Sequence, residues 1–188
     1  MRICVFSGSS IGKSKQYSEA AQSLGTVIAN NGYGLVYGGA SVDLMGIVAD
    51  AALKAGGEVI GILPKALADV EIGHKGLTEL HLTSTMHERK AMMAELSDAF
   101  AVLPGGIGTL EEAFEVWTWS QLGIHQKPIG LLNIANYFTG LELFLDHVVE
   151  EEFVTQAHRN IMISDETAES LVARLSSMKV PNTRKWAD

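Results

Sequence analysis

Cysteine is nearly absent. The chain has one, Cys4, so an internal disulfide is excluded, and a lone thiol in strand-like sequence fits a reducing cytoplasm. Long apolar runs are absent too. None reaches the roughly 20 residues of a membrane-spanning helix, and Met1-Arg2 leads straight into strand-like sequence, not into a signal peptide. Positive charge is scarce, with 14 Lys and Arg against 22 Asp and Glu and a formal net charge of -8. This balance argues against a nucleic-acid polymer or an anionic membrane as partner. A small anionic ligand stays open, because glycine turns and a few cations outweigh global charge at short range. There is no internal repeat, low-complexity segment or linker.

Several chemical signatures are also missing. The histidines, His74, His81, His87, His125, His147 and His158, make neither HExxH nor another ligand spacing, so no metal site is expected. Ser7, Ser9 and Ser10 lack the GxSxG setting of a nucleophile elbow. The stretch SGSSIGKS resembles a P-loop but has three residues between Gly8 and Gly12, where four are needed. A turn that binds a nucleotide through backbone and serine hydroxyls fits it better. In the central glycine cluster, Gly106-Ile107-Gly108 is followed by Glu111 where a dinucleotide fingerprint needs its third glycine. An NAD site is thereby disfavoured.

What is present is a core-forming pattern. Of 188 residues, 47% are hydrophobic and 19% charged, which suits one globular domain. Strands are expected at 2–7, 34–37, 58–63, 77–82, 99–103, 128–132 and 160–164. Helices are expected at 14–31, 43–55, 84–96, 109–121, 136–151 and 166–178, with a loop at 65–76. Strand and helix alternate, which implies an α/β fold: a Rossmann-like, doubly wound parallel sheet of about seven strands. Residues 1–179 form this single domain, and 180–188 read as a frayed tail. Glycine clusters follow strands one, two and five, at Gly8, Gly38-Gly39 and Gly105 to Gly108. All lie on the carboxyl edge of the sheet, where such folds bind ligands.

Two stretches carry chemistry. The first is AVLPGGIGTLEEAFEVWT, residues 101–118: a buried strand, a glycine turn, then a helix with Leu110, Ala113, Phe114 and Trp117 on one face. Glycines let an anion approach backbone N–H groups at a helix start. Glu111 and Glu112 follow, and carboxylates beside an anion cradle suggest chemistry on something attached to a phosphate. A structural reading fits the same residues, since Thr109 and Glu112 make a capping box. The second stretch is STMHERKAMM, residues 84–93. Thr85 and Glu88 again form a capping box, while Arg89 and Lys90 put cations against the macrodipole. A phosphate or a neighbouring carboxylate would offset that; the alternative is a solvated charge run. Met92, Met93, Phe114, Trp117 and Trp119 offer more apolar surface than two helices of one subunit need, which suggests a homodimer joined through them.

Together these motifs resemble one family. Residues 104–112, PGGIGTLEE, fit PGGxGTxxE, and Met86-His87-Glu88-Arg89-Lys90 fit the companion arginine-lysine motif. They are similar to the LOG ("lonely guy") family, the cytokinin riboside 5′-monophosphate phosphoribohydrolases, whose members have often been labelled lysine decarboxylases. The likeness runs from Cys4-Val5-Phe6 through Val36-Tyr37-Gly38-Gly39 and Trp119-Ser120-Gln121-Leu122-Gly123 to the last helix. The chain departs at Ala40 and Asp43, where many relatives have glycine.

The resemblance implies hydrolysis of the N-glycosidic bond of purine nucleoside 5′-monophosphates to free base and ribose 5-phosphate. Substrates would be N6-prenylated AMP species or AMP itself, with no metal or redox cofactor. Arg89 and Glu112 would be the catalytic pair. Glu71, Lys90, Gly105, Gly106, Ile107, Gly108, Thr109, Leu110, Glu111 and Thr118 would contact the nucleotide, together with the turns at Gly8-Ser9 and Gly38-Gly39. Thr118 lies seven residues beyond Glu111, so both can face one pocket. Either Glu111 or Glu112 can reach the ribose. Two rival readings are a non-catalytic nucleotide carrier of the same fold, which needs neither Arg89 nor Glu112, and a pyridoxal-dependent decarboxylase, for which Lys90 is the only lysine near the motifs.

Overall fold

The computed structural model describes residues 1–68 and 73–181. Seven strands form one sheet: β1 (Arg2–Phe6), β2 (Gly34–Tyr37), β3 (Val59–Pro64), β4 (Glu79–Thr83), β5 (Ala99–Val102), β6 (Ile129–Leu132) and β7 (Met162–Asp165). Their order is β4-β3-β2-β1-β5-β6-β7, and every neighbouring pair is parallel. The helices are α1 (Lys15–Asn30), α2 (Asp43–Lys54), α3 (Lys65–Ala68), α4 (Met86–Glu95), α5 (Ile107–Gln121), α6 (Thr139–Glu150), α7 (Gln156–Arg159) and α8 (Ala168–Ser177).

Strands β2, β3, β5 and β6 are buried along their whole length and β1 from Ile3 onward, so both faces of the sheet must be covered. One layer is α1, α2 and α8, whose Leu24, Ile28, Leu44, Val48 and Leu171 pack with Ile3, Val5 and Leu35. The other is α4, α5 and α6, whose Met93, Val116, Trp117 and Leu145 pack with Cys4, Phe6, Val36 and Phe100. The expected doubly wound sheet is therefore present. Its order reverses between β1 and β5, which puts the glycine turns after β1, β2 and β5 side by side.

Local details differ from the sequence expectation. The 65–76 segment is not all loop: α3 occupies its first turn, and residues 69–72 lie outside the description. Strand β3 runs one residue past its expected end, to Pro64, which is paired with Thr83 where a missing N–H costs no further ladder bond. Helix α6 starts at Thr139, behind a 3-10 turn in which Ala135 has φ 53° and Asn136 φ 60°. Helix α7 was not foreseen; it is one turn long, capped by Thr155. Val180, assigned to a frayed tail, is 7% exposed and packs into the α4–α5 layer; residues 182–188 lie outside the description.

Candidate functional site

Helix α5 begins two residues earlier than its sequence suggests. Gly106 is its N-cap and makes no side-chain cap bond, so Thr109 and Glu112 sit inside the first turns and form no capping box. The structural reading of Glu112 is thereby corrected. The first N–H groups of α5 are left for another partner. A Cβ on Gly106 or Gly108 would meet nothing within 4 Å, so the turn is open on that side. Gly105 is the opposite case: a Cβ there would collide with the Thr109 side chain, so this glycine is needed for close packing of the turn. Gly8 N donates to Pro104 O at 3.2 Å, and Tyr137 Oη donates to Gly105 O at 2.6 Å, which fixes the turn from both sides.

Helix α4 is capped as expected: Thr85 Oγ1 accepts from Glu88 N at 3.1 Å, and Glu88 Oε2 accepts from Ser84 N at 2.7 Å. Arg89 and Lys90, one turn on, do not belong to a solvated charge run. They are 9% and 8% exposed. Arg89 Nη1 donates to Glu112 Oε1 at 2.7 Å, and Nε donates to Ile62 O, in β3, at 3.1 Å. Room for the guanidinium comes from Gly38, where a Cβ would collide with Nη2. Lys90 Nζ donates to Glu111 Oε1 at 2.5 Å and lies 3.0 Å from Glu115 Oε2, an ion pair without hydrogen-bond alignment. The cations that oppose the α4 macrodipole are thus offset by three carboxylates of α5.

Burial raises the Glu112 carboxyl above the ordinary carboxylate range, and Glu111 adds to this; Arg89 opposes it without cancelling it. For Lys90, burial works against the charge, but Glu111 and Glu115 together hold its pKa above the usual lysine value. Arg89 and Glu112 line a cavity of about 300 Å³ with Ser7, Ser9, Gly38, Gly106, Ile107, Gly108, Thr109 and Glu111. Its apolar wall is Val5, Phe6, Met45, Leu67, Met86 and Met93. A wider cleft of about 510 Å³ lies between α1 and α8, but its buried polar residue, Asn133, is already bonded to Phe138 N, Thr139 and Glu142. Size alone does not select the site. Among the described residues, no group of three or more His, Cys, Asp or Glu could hold a metal ion.

Not every expected residue reaches the cavity. Gly8 and Gly105 line an adjoining pocket of about 250 Å³ with Tyr17 and Tyr137. Gly39 shapes the β2 turn, with φ 81°, and accepts from His74 N. Leu110 packs on the core, and Lys90 acts from behind through Glu111. Thr118 does not share the cavity with Glu111; it is exposed, and its hydroxyl donates to Phe114 O at 2.7 Å. Glu71 lies outside the described residues. Sequence reasoning missed Glu115, although it stands one helical turn beyond Glu111 and so on the same face. It also set aside Ser7. The proposed dimer stripe needs correction as well: Met93 and Trp117 are core residues of this chain, 1% and 4% exposed, and Trp117 Nε1 donates to His158 O. Met92, Phe114 and Trp119 are half-buried, while Leu122 and Ile124 beyond them are exposed.

Chemically, the arrangement offers backbone donors for an anion and, one turn further, a buried carboxylate held by a guanidinium. Such a carboxylate can stabilise a developing cation or take a proton from water. The family described as "Possible lysine decarboxylase" matches residues 45–175. Two proteins of Arabidopsis thaliana are close relatives. The cytokinin riboside 5′-monophosphate phosphoribohydrolase LOG1 is 46% identical over 98% of this chain and 89% of its own, and LOG3 is 50% identical over 93% and 81%. Among solved structures, the molybdenum cofactor binding protein of Rippkaea orientalis superposes with a TM-score of 0.72 at 24% identity, covering 94% of this chain and 95% of that one. That likeness shows the fold alone. With a family model matched over most of its length and close to half of its residues identical to these relatives, the chain belongs to the LOG family of the "Possible lysine decarboxylase" group.

Proposed function

We propose that this protein is a phosphoribohydrolase. It cleaves the N-glycosidic bond of purine nucleoside 5′-monophosphates, AMP or N6-prenylated AMP, and releases the free base and ribose 5-phosphate. The observation that carries this reading is the 2.7 Å pairing of buried Arg89 and Glu112 in the cavity that opens onto the uncapped start of α5.

The phosphate binds the N–H groups at Gly106 to Thr109, which are free of side-chain caps. The sugar then extends toward Glu112. The C1′–N9 bond breaks, its electron pair leaves with the purine, and positive charge develops on C1′ and the ring oxygen. The Glu112 carboxylate stabilises that charge and takes a proton from water as the water oxygen bonds C1′. The purine gains one proton in return, so the sum is water added across the bond. Arg89 orients Glu112 and keeps it ionised. Glu111 and Lys90 pair across α4 and α5, and Glu71 joins the binding set by resemblance to the family. No metal or redox cofactor enters the scheme.

The rival readings fit less well. A carrier needs no buried Arg–Glu pair. A pyridoxal site needs a lysine amine that can lose its proton, whereas Lys90 sits between Glu111 and Glu115, which favour its charged form. The residues do not fit that group. We also propose a homodimer through α4 and α5, with Met92, Phe114, Trp119, Leu122 and Ile124 as the apolar surface, and a cytoplasmic location, for which a single buried Cys4 is suited.

The test is incubation with AMP, isopentenyl-AMP and adenosine, with free base scored by chromatography. Base should come from the monophosphates and hardly at all from adenosine, because the phosphate supplies binding energy. No release from either monophosphate would refute the activity, and equal rates on adenosine and AMP would refute the role of the turn. Sedimentation as a monomer at micromolar concentration would refute the dimer.

A further inference from the structure

We propose that the Ser7 hydroxyl binds the ribose 2′,3′-diol of the nucleotide. This rests on the phosphoribohydrolase reading and extends it to a residue that the motifs do not include. Ser7 follows β1 at the edge where β1 meets β5, with Phe6 in register with Val102. It is 8% exposed, and its Oγ is buried without a hydrogen-bond partner among the described residues. Buried hydroxyls in folded proteins nearly always have a partner, so an orphan on a residue that lines a cleft leaves a hydrogen bond for a ligand to make. Other buried polar atoms also lack hydrogen-bond partners: Tyr37 Oη, Glu115 Oε2, Ser120 Oγ and His125 Nε2. None of those residues lines the cavity with Arg89 and Glu112; Ser7 does.

Position selects the partner. The Gly8 N bond to Pro104 O clips the residue after Ser7 to the foot of the glycine turn. Ser7 therefore stands beside the phosphate cradle, and Glu112 stands one turn further along α5. A nucleotide with its phosphate on the turn and C1′ near Glu112 must lay its sugar between them. The charge of the phosphate is answered by backbone N–H groups and the cationic centre by Glu112. A neutral hydroxyl that both donates and accepts matches a sugar hydroxyl.

The experiment compares wild type with Ser7→Ala on AMP, 2′-deoxy-AMP and 3′-deoxy-AMP. On AMP, kcat/KM should fall about tenfold, the scale of one neutral hydrogen bond. The loss should shrink below about twofold on one of the two deoxynucleotides, since the substrate has then already lost that bond. The substrate-free variant should melt at the same temperature or higher, because an unpaired buried hydroxyl has been removed. An equal loss on all three substrates would overturn the proposal, as would unchanged activity, or early melting with unchanged activity per folded molecule. If wild type cleaves only isopentenyl-AMP, the same comparison is run on that nucleotide and its 2′- and 3′-deoxy forms; if it releases no base from either monophosphate, the phosphoribohydrolase reading falls instead. Ser7 is then tested by calorimetric titration of the same three nucleotides, where a loss of affinity not confined to the ribose hydroxyls would overturn it.

Discussion

Replacing Glu112 separates catalysis from architecture more sharply than any other change. Its side chain is 11% exposed and that of its partner Arg89 10%. Glu112→Gln keeps the shape, and the amide oxygen can still accept from Arg89 Nη1. The negative charge is lost, and with it the stabilisation of a cationic transition state, so kcat should drop by about a hundredfold or more. Stability responds differently. Because burial outweighs Arg89 and holds the Glu112 pKa up, ionised Glu112 is itself a net cost to the fold. A neutral glutamine escapes that cost but leaves the Arg89 charge less well met. The two effects oppose each other, and the change in unfolding free energy should stay within about 1 kcal/mol, less than one pKa unit's worth. Glu112→Ala removes the hydrogen bond as well and strands a buried guanidinium, which costs about 3–5 kcal/mol. The assay is base release per folded molecule, with denaturant unfolding of both variants. If Glu112→Gln retains turnover within about fivefold of wild type, or unfolds as readily as Glu112→Ala, the argument fails.

Three further outcomes follow from the geometry. Gly38→Ala drives a Cβ into the Arg89 guanidinium; turnover should collapse with at most about 3 kcal/mol lost from the fold, and an active Gly38→Ala enzyme would show that Arg89 need not stay where it is. Because the folded-state pKa of Glu112 is raised, activity should fall on the acid side from a pH above the ordinary carboxylate range. In that window the folded state holds a proton that the unfolded chain has lost, so this residue's contribution to stability decreases as pH rises, and Glu112→Gln should remove that slope. Asp43, the first residue of α2, has φ 51°, so Asp43→Gly should raise stability by up to about 1 kcal/mol, read as an increase in the denaturant midpoint at unchanged slope.

Much of the fold was legible because its signals are local. Buried parallel strands read as short apolar runs, and Gly32, Gly38 and Gly56 mark the ends of elements. Helix starts were less legible. The first turn of α5 carries two glycines and no capping side chain, so sequence rules moved its start onto Thr109. Burial of charge was hidden as well. Glu88-Arg89-Lys90 reads as a solvated run, and only the approach of α4 to α5 makes two of its members interior. The sequence marked the serines of residues 7–14 only as a group, and Ser7 stands out among them by its lack of a partner in three dimensions. Asp43 is the reverse. Glycine is expected there from resemblance alone, and the left-handed backbone supplies the reason.

The site breaks local rules in a consistent direction. A helix start goes without a cap, a hydroxyl is buried without a partner, and a carboxylate is buried at a cost. Each lowers the stability of the empty protein. Each is also relieved by one kind of ligand: a phosphate for the free N–H groups, a sugar hydroxyl for Ser7, and a developing cation for Glu112. Positions where stability is given up for ligand are expected to cluster at functional sites, and here they converge on one cavity at the point where the sheet reverses its strand order. A carrier that held a nucleotide unchanged would need the first two. Only a reaction that makes positive charge at the sugar uses the third, so the Glu112→Gln comparison bears on the one feature that distinguishes an enzyme from a binding protein with this fold.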